Sequence, residues 1–236
     1  MKQTKRGGGS TTGRSPGTRV DSHDNLIPRT RKLVAYVDVK SPQARLALGP
    51  TLAMAEESGS VVDWRPFHLK PRPPRKEADP TSRGTRHRQA RADYRRWELD
   101  FYARQQGIEW VYPEEELDSF AANAGLAWMK RQDAGLSQCD AYVRRVFAEV
   151  WAGRMDPGDR GAVEAAIVSA GGGSRGFGPF LDQQAGAELA RAADEVRALG
   201  ANDVPAYVVG DELYIGRAHL PVIRWWLDGQ QGEPPV

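Results

Sequence analysis

Two small apolar β clusters stand far apart in this chain, and neither can fold alone. Residues 33–39 (LVAYVDV) and 61–67 (VVDWRPF) lie near the start. Residues 206–209 (AYVV) and 213–215 (LYI) lie near the end, on either side of Gly210-Asp211. Short runs rich in Val, Tyr and Ile bounded by turn residues read as strands, and the Gly-Asp step reads as a hairpin turn. Two strands bury too little surface to be stable in isolation. The clusters are therefore expected to join into one sheet. About a hundred residues of helical pattern lie between them. The expected fold class is α/β: a βαβ half and a ββα half with an all-helical insertion. Residues 33–39 are too apolar for an exposed edge, which predicts a central strand. A strand, a helix and a parallel strand close as a right-handed unit.

The helices follow from periodicity and punctuation. Ser41 stands where an N-cap belongs, with Pro42 at the first helical turn. The helix that follows carries Leu46, Leu48, Leu52, Ala53 and Ala55 and ends near Ser58-Gly59. Pro50 lies inside it and predicts a kink or an early break. Residues 88–106 form a second helix, with Tyr94, Trp97, Phe101 and Ile108 in one stripe that is expected to be buried. Further helices are expected over 123–130, 137–151, 159–170, 185–199 and 220–227. The expected divisions are a disordered extension over 1–32, a core made of 33–70 and 185–230, and the helical insertion over 71–184.

Composition excludes several classes. The 236 residues are 40% hydrophobic, with a formal net charge of +2 and one cysteine. One cysteine allows neither an internal disulfide nor a CxxC redox motif. Cys139, beside Val143 and Val146 in a helical pattern, is expected to be a buried structural thiol. No run of 18 apolar residues is present, and the first 32 residues lack a signal-peptide core. A cytoplasmic location is expected. The histidines, His23, His68, His87 and His219, show no metal spacing. A basic run from Lys70 to Arg96 has the charge that phosphate contacts need. Because its aromatic stripe is expected to be buried, a solvated face or steering of anions is the favoured reading over nucleic acid.

Ser41 admits two readings. One is a helix cap. In the other, the hydroxyl at the positive end of a helix donates to a thiolate supplied from outside. Such a bond is worth about 1.5–3 kcal/mol, or one to two units of thiol pKa. Pro205 opens the strand at 206–209, ordinarily an edge or turn feature.

Taken together, Tyr36-Val37-Asp38-Val39-Lys40-Ser41-Pro42, Arg65-Pro66-Phe67, GIEWVYP at 107–113 and GANDVPAYVVGDELYIGRAHLPVIRWWL within 198–227 resemble the 2-hydroxychromene-2-carboxylate isomerase family. That family is related to kappa-class glutathione transferases and to DsbA-like oxidoreductases. The resemblance spans about residues 33–228. It implies a thioredoxin-like core and glutathione as cofactor. It also implies catalytic Ser41 at the glutathione sulfur, and Val204 before a cis-Pro205, with the Val204 backbone pairing with the glutathione cysteinyl unit. Arg96 falls near a family lysine that helps bind ligands. Arg217 and His219, which by their charge favour an anion, complete the expected glutathione-binding set. The implied partner is a small aromatic carboxylate, isomerised by reversible addition of the thiolate, and a homodimer is an assembly the family often adopts.

The chain departs from the family at two places. Ala218 stands where an acidic residue usually holds the glutathione ammonium. Gln43 and Arg45 make the mouth after Ser41-Pro42 more polar and more cationic. The alternative function is a non-catalytic module that binds an anionic peptide or metabolite. Thiol–disulfide exchange lacks its cysteines, since Ser41 and Ala44 occupy the two CxxC positions.

Overall fold

The protein is described from a computed structural model that covers residues 32–71 and 82–235. The extension expected over the first 32 residues lies outside them apart from Lys32, as do His23 and Arg72, Arg75 and Lys76 of the basic run. The chain runs β1 (Lys32–Val37), α1 (Pro42–Glu57), β2 (Val61–Pro66), α2 (Arg83–Gln105), α3 (Phe120–Arg131), α4 (Leu136–Trp151), α5 (Arg160–Ser169), α6 (Phe177–Gln183), α7 (Ala185–Ala198), β3 (Ala206–Val209), β4 (Glu212–Ile215) and α8 (Leu220–Leu227). A single 3-10 turn, Arg217–His219, precedes α8.

The two β clusters form one four-stranded sheet in the order β2-β1-β3-β4. β1 is parallel to β2 and antiparallel to β3, with Tyr36 opposite both Arg65 and Ala206. The hairpin register pairs Val209 with Glu212 around Gly210, whose positive φ suits a tight turn. β1 is central, as its apolar run predicts. It ends at Val37 rather than Val39, because Asp38 and Val39 turn their polar groups to the helical block.

Pro50 does not break α1, which continues to Glu57. A proline at position 50 removes the N–H that would bond the Leu46 carbonyl. Gln106 supplies the missing donor, its Nε2 standing 3.1 Å from that oxygen. The break expected from local sequence is thus offset by a residue far away in the chain.

The stripe on α2 is a second correction. Only Leu99 and Ala103 of α2 are buried, packed on Leu46 of α1. Tyr94, Trp97 and Phe101 lie on the opposite face and are exposed. The periodicity identified a helix but not which of its faces meets the body.

α3 is the hub of the helical block. Residues 121–129 are all buried, and the helix packs on α4, α5, α6, α7 and β2. Gly125 lets the helices close in: a Cβ there would sit 2.1 Å from the Tyr142 hydroxyl. Cys139 is buried on α4, and burial raises its thiol pKa. α6 was not legible beforehand, being a short helix entered through Gly176 at positive φ. Among the described residues no helix is long and apolar enough to cross a membrane, and no cluster of His, Cys, Asp and Glu could hold a metal ion.

Candidate functional site

The sheet brings three sequence-distant segments to one end. β1 and β3 are antiparallel, so the end of β1 meets the start of β3. Pro205 immediately precedes Ala206, the partner of Tyr36, and Ser41 begins α1 a few residues beyond. The Gly216 N–H donates to the Pro205 carbonyl at 2.8 Å, which ties the turn Arg217–His219 to the same place. That turn also packs on α1. Ser41, Val204, Pro205, Arg217 and His219 therefore share one end of the molecule.

Ser41 is buried and caps α1. Its Oγ accepts from the Ala44 N–H at 3.2 Å, and its own N–H donates to the Asp38 carbonyl at 2.9 Å. The cap uses a lone pair of the hydroxyl and leaves its proton to be donated elsewhere. The cap role and the donor role are chemically compatible. The Val204–Pro205 peptide bond is cis. The Val204 N–H donates to Asp203 Oδ1 at 2.8 Å. Arg217 lies over the ring of Tyr102, 3.6 Å from its centroid. His219 is exposed, its ring 5.7 Å from that of Tyr214.

Arg96 stands further out. It is exposed on α2, with its guanidinium 4.5 Å from the centroid of Tyr112. Tyr112 approaches Trp110, which stacks on Trp151 at 4.5 Å. The Trp151 indole donates to the Val39 carbonyl at 2.9 Å, next to the Ser41 turn. Among the described residues, this aromatic series connects Arg96 to that turn. Arg45, one helical turn past Ser41, has a buried Nε with no hydrogen-bond partner among the described residues. Burial pulls its guanidinium pKa below the usual value.

A group of buried polar residues beneath the site was missed in the sequence. The Asp38 carboxylate is fully buried. It accepts from the N–H groups of Lys40 and Leu69, from the Ser119 hydroxyl at 2.6 Å and from Asn123 Nδ2 at 2.8 Å. Asn123 Oδ1 in turn accepts from the Val39 N–H, and Lys40 pairs with Glu116 at 2.8 Å. The helical insertion thus holds the turn before Ser41 residue by residue. His68 joins at Asn123, 3.1 Å away. Burial lowers its pKa, with Asp38 opposing that shift and Lys40 adding to it. A lone polar residue at a strand end is the only trace of this group in the sequence.

Two surface hollows lie elsewhere. One, of about 380 Å³, runs along α2 past His87, Ala90, Arg91, Tyr94, Arg95 and Glu98. The other, of about 410 Å³, lies between α1, β2 and α4. Neither is lined by Ser41, Val204 or Pro205.

Known proteins place this geometry in a family. Residues 32–225 match the model of the DSBA-like thioredoxin domain. Among solved structures, a 2-hydroxychromene-2-carboxylate isomerase is similar over 80% of this chain and 90% of its own, with a TM-score of 0.63 and 21% identity. A probable DsbA oxidoreductase from Streptomyces coelicolor matches over 87% and 93%, with a TM-score of 0.62 and 17% identity. The cytosolic disulfide reductase DsbM from Pseudomonas aeruginosa, solved with GSH, matches over 84% and 98%, with a TM-score of 0.55 and 18% identity. At these identities the likeness is one of fold. No curated protein matches in sequence.

Proposed function

The chain belongs to the DSBA-like thioredoxin domain family, and from that premise we propose that it is a glutathione-dependent isomerase or transferase of the 2-hydroxychromene-2-carboxylate isomerase type. The observation that carries the reading is the Ser41 hydroxyl at the N-cap of the 16-residue α1, in a chain with no cysteine at either dithiol position. The substrate is a small molecule, an electrophilic aromatic carboxylate.

Glutathione, when bound, supplies a thiol whose ionised form can add reversibly to an electrophilic carbon. The residues present suit it at the sulfur end. Ser41 has a proton to donate, and the free N–H groups and dipole of α1 favour negative charge beside it. Arg217, His219 and Arg96 are the candidates for its carboxylates. The Val204 backbone is the candidate partner for its peptide unit, in competition with the Asp203 side chain that now accepts from the Val204 N–H. Ala218 offers nothing to the glutathione ammonium, so the fit is weaker at that end. The single cysteine suits a reducing compartment, and the cytoplasm is the proposed location.

The test follows chromene-carboxylate isomerisation with and without glutathione in the wild type, Ser41→Ala and Ser41→Asp. Turnover is expected to require glutathione and to fall about tenfold to a hundredfold in Ser41→Ala, the kinetic equivalent of one charge-assisted hydrogen bond. Ser41→Asp keeps a capping side chain but sets a carboxylate against the thiolate, and should be at least as impaired. Turnover without glutathione, or full activity in Ser41→Asp, contradicts the proposal.

One observation favours a second reading, a non-catalytic module for an anionic peptide or metabolite. Arg45, Arg96 and Arg217 have no carboxylate partner among the described residues, and Ser41, Val204 and Pro205 are buried. Calorimetric titration separates the two readings. Absence of glutathione binding at millimolar concentration favours the module.

A further inference from the structure

We infer that Arg45, together with the indole N–H of Trp110, receives the carboxylate of the substrate at the mouth of the Ser41 site and so selects for it. The inference rests on the reading of Ser41 given above and assigns a group that reading leaves without one. Arg45 is held where an unpaired cation is disfavoured on two counts. Its N–H donates to the Ser41 carbonyl at 3.1 Å, closing the first turn of α1 at the positive end of the helix dipole. That turn holds no acidic residue. The side chain is only partly exposed, and its Nε is buried with no hydrogen-bond partner among the described residues. Burial pulls its pKa down, and no carboxylate among them pushes it back. A desolvated charge without a counter-ion is destabilising until an anion meets it. Arg96 is exposed and Arg217 rests on the Tyr102 ring, and neither has a buried nitrogen left without an acceptor.

The second donor belongs to the same turn. Arg45 and Gly49 lie one helical turn apart on α1, and a Cβ on Gly49 would stand 3.7 Å from Gln106 Oε1. That side of α1 therefore looks toward the segment that follows α2. Trp110, in that segment, packs on the cluster of Leu46, Leu99 and Ala103. Its ring stacks on Trp151, whose indole donates to the Val39 carbonyl two residues before Ser41. Trp110 Nε1 is buried and, like Arg45 Nε, has no acceptor among the described residues. Buried donors without acceptors are rare in folded proteins. Two of them flanking one turn mark a place for an acceptor that the described residues do not supply.

The chemistry of the pair selects a carboxylate. A guanidinium fork matches two coplanar oxygens, and a neutral indole N–H adds a donor without adding charge. The other cation of this turn, Lys40, is paired with Glu116 at 2.8 Å. One uncompensated positive charge suits a monoanion better than a phosphate. Arg45 follows Ser41 by four residues, about 6 Å along the helix axis. A thiolate at Ser41 and a carboxylate at Arg45 therefore address one small molecule at two points. Both orphan nitrogens are covered, so the carboxylate reaches them by parting the side chains above.

Calorimetric titration of the full chain without glutathione tests this, with 2-hydroxycinnamate and its neutral amide as probes. The wild type is expected to bind the carboxylate about tenfold or more tighter than the amide. Arg45→Leu should abolish that preference, and Arg45→Lys should restore part of it, a charge without the fork. Trp110→Phe keeps a ring and should weaken carboxylate binding about threefold to tenfold. Arg45→Leu should melt no lower than the wild type, because it removes an unpaired, desolvated charge. A residue kept only for structure would melt lower when replaced. In chromene-carboxylate isomerisation, Arg45→Leu should raise the KM for the chromene about tenfold or more and leave the KM for glutathione unchanged. A wild type that binds the carboxylate no better than the amide overturns the inference, as does a shift in the glutathione KM instead. If the carboxylate preference is present but the wild type does not isomerise, the carboxylate receptor stands and the Ser41 reading alone falls.

Discussion

Asp38 shows how much one side chain decides. Its carboxylate is buried, and every hydrogen bond it makes is one it accepts. An asparagine fits the same space but turns an NH₂ toward groups that are themselves donors. Asp38→Asn should therefore lose about 2–4 kcal/mol, more than an ordinary hydrogen bond, because buried donors are left facing a donor. Denaturant unfolding measures it. A loss within 0.5 kcal/mol, the ordinary scatter of surface changes, would show that the group does not brace the turn before Ser41. The same logic separates Asp38 from Ser41: the first holds the backbone in place, and the second presents a proton.

At the scale of elements, α1 and α2 stabilise each other through a backbone defect. Pro50 leaves the Leu46 carbonyl without its helical partner, and Gln106 at the end of α2 donates to it. Removing the donor should cost about 1–3 kcal/mol, the penalty of an unsatisfied buried acceptor. Pro50→Ala restores a backbone donor one turn away. A double-mutant cycle is the measurement. Gln106→Ala is expected to be destabilising in the wild type and nearly neutral in the Pro50→Ala background. Equal losses in both backgrounds would mean that Gln106 acts only by packing, for example against Gly49, where an added Cβ would lie 3.7 Å from its Oε1.

For the whole molecule, acid stability centres on Asp63 in β2. Its side chain is 2% exposed and is met by Lys32 at 2.8 Å, Arg65 at 3.1 Å and Lys130. Burial alone would raise its pKa. The hydrogen bonds from Lys130 and Lys32, with the charges of Lys130 and Arg65, outweigh burial and hold it below the ordinary value. A carboxylate with a lowered folded-state pKa stabilises the protein above its unfolded pKa of about 3.9 and loses that contribution as pH falls further. Lys130 belongs to α3 and Asp63 to β2, so the loss loosens the insertion from the sheet. Asp63→Asn should be less stable than wild type at neutral pH by about 3 kcal/mol, the low end for a broken buried pair because the cations are partly solvated. The gap should close below about pH 4. A gap that is constant with pH would remove the charge from the explanation.

Apart from α6, local sequence determined the elements and their order. The four strands, the cap at Ser41, the hairpin at Gly210 and the last helix all announce themselves through residues within a few positions of one another. Joining the two β clusters followed from size alone, since neither buries enough surface to stand. The convergence of Ser41, Pro205 and Arg217 at one end came from a resemblance in the motifs, not from spacing. What only the tertiary structure decided has partners far away along the chain. The Asp38 carboxylate finds Ser119 and Asn123 more than 80 residues on, and Leu46 finds Gln106 60 residues on. The outward face of α2 belongs to the same group. A stripe of aromatics specifies a surface to be covered, and Leu99 and Ala103 packing on Leu46 decide that the described residues leave it exposed. Backbone preference is a short-range property of the chain, whereas satisfaction of a buried polar group, or burial of one helix face over another, depends on what the fold brings alongside.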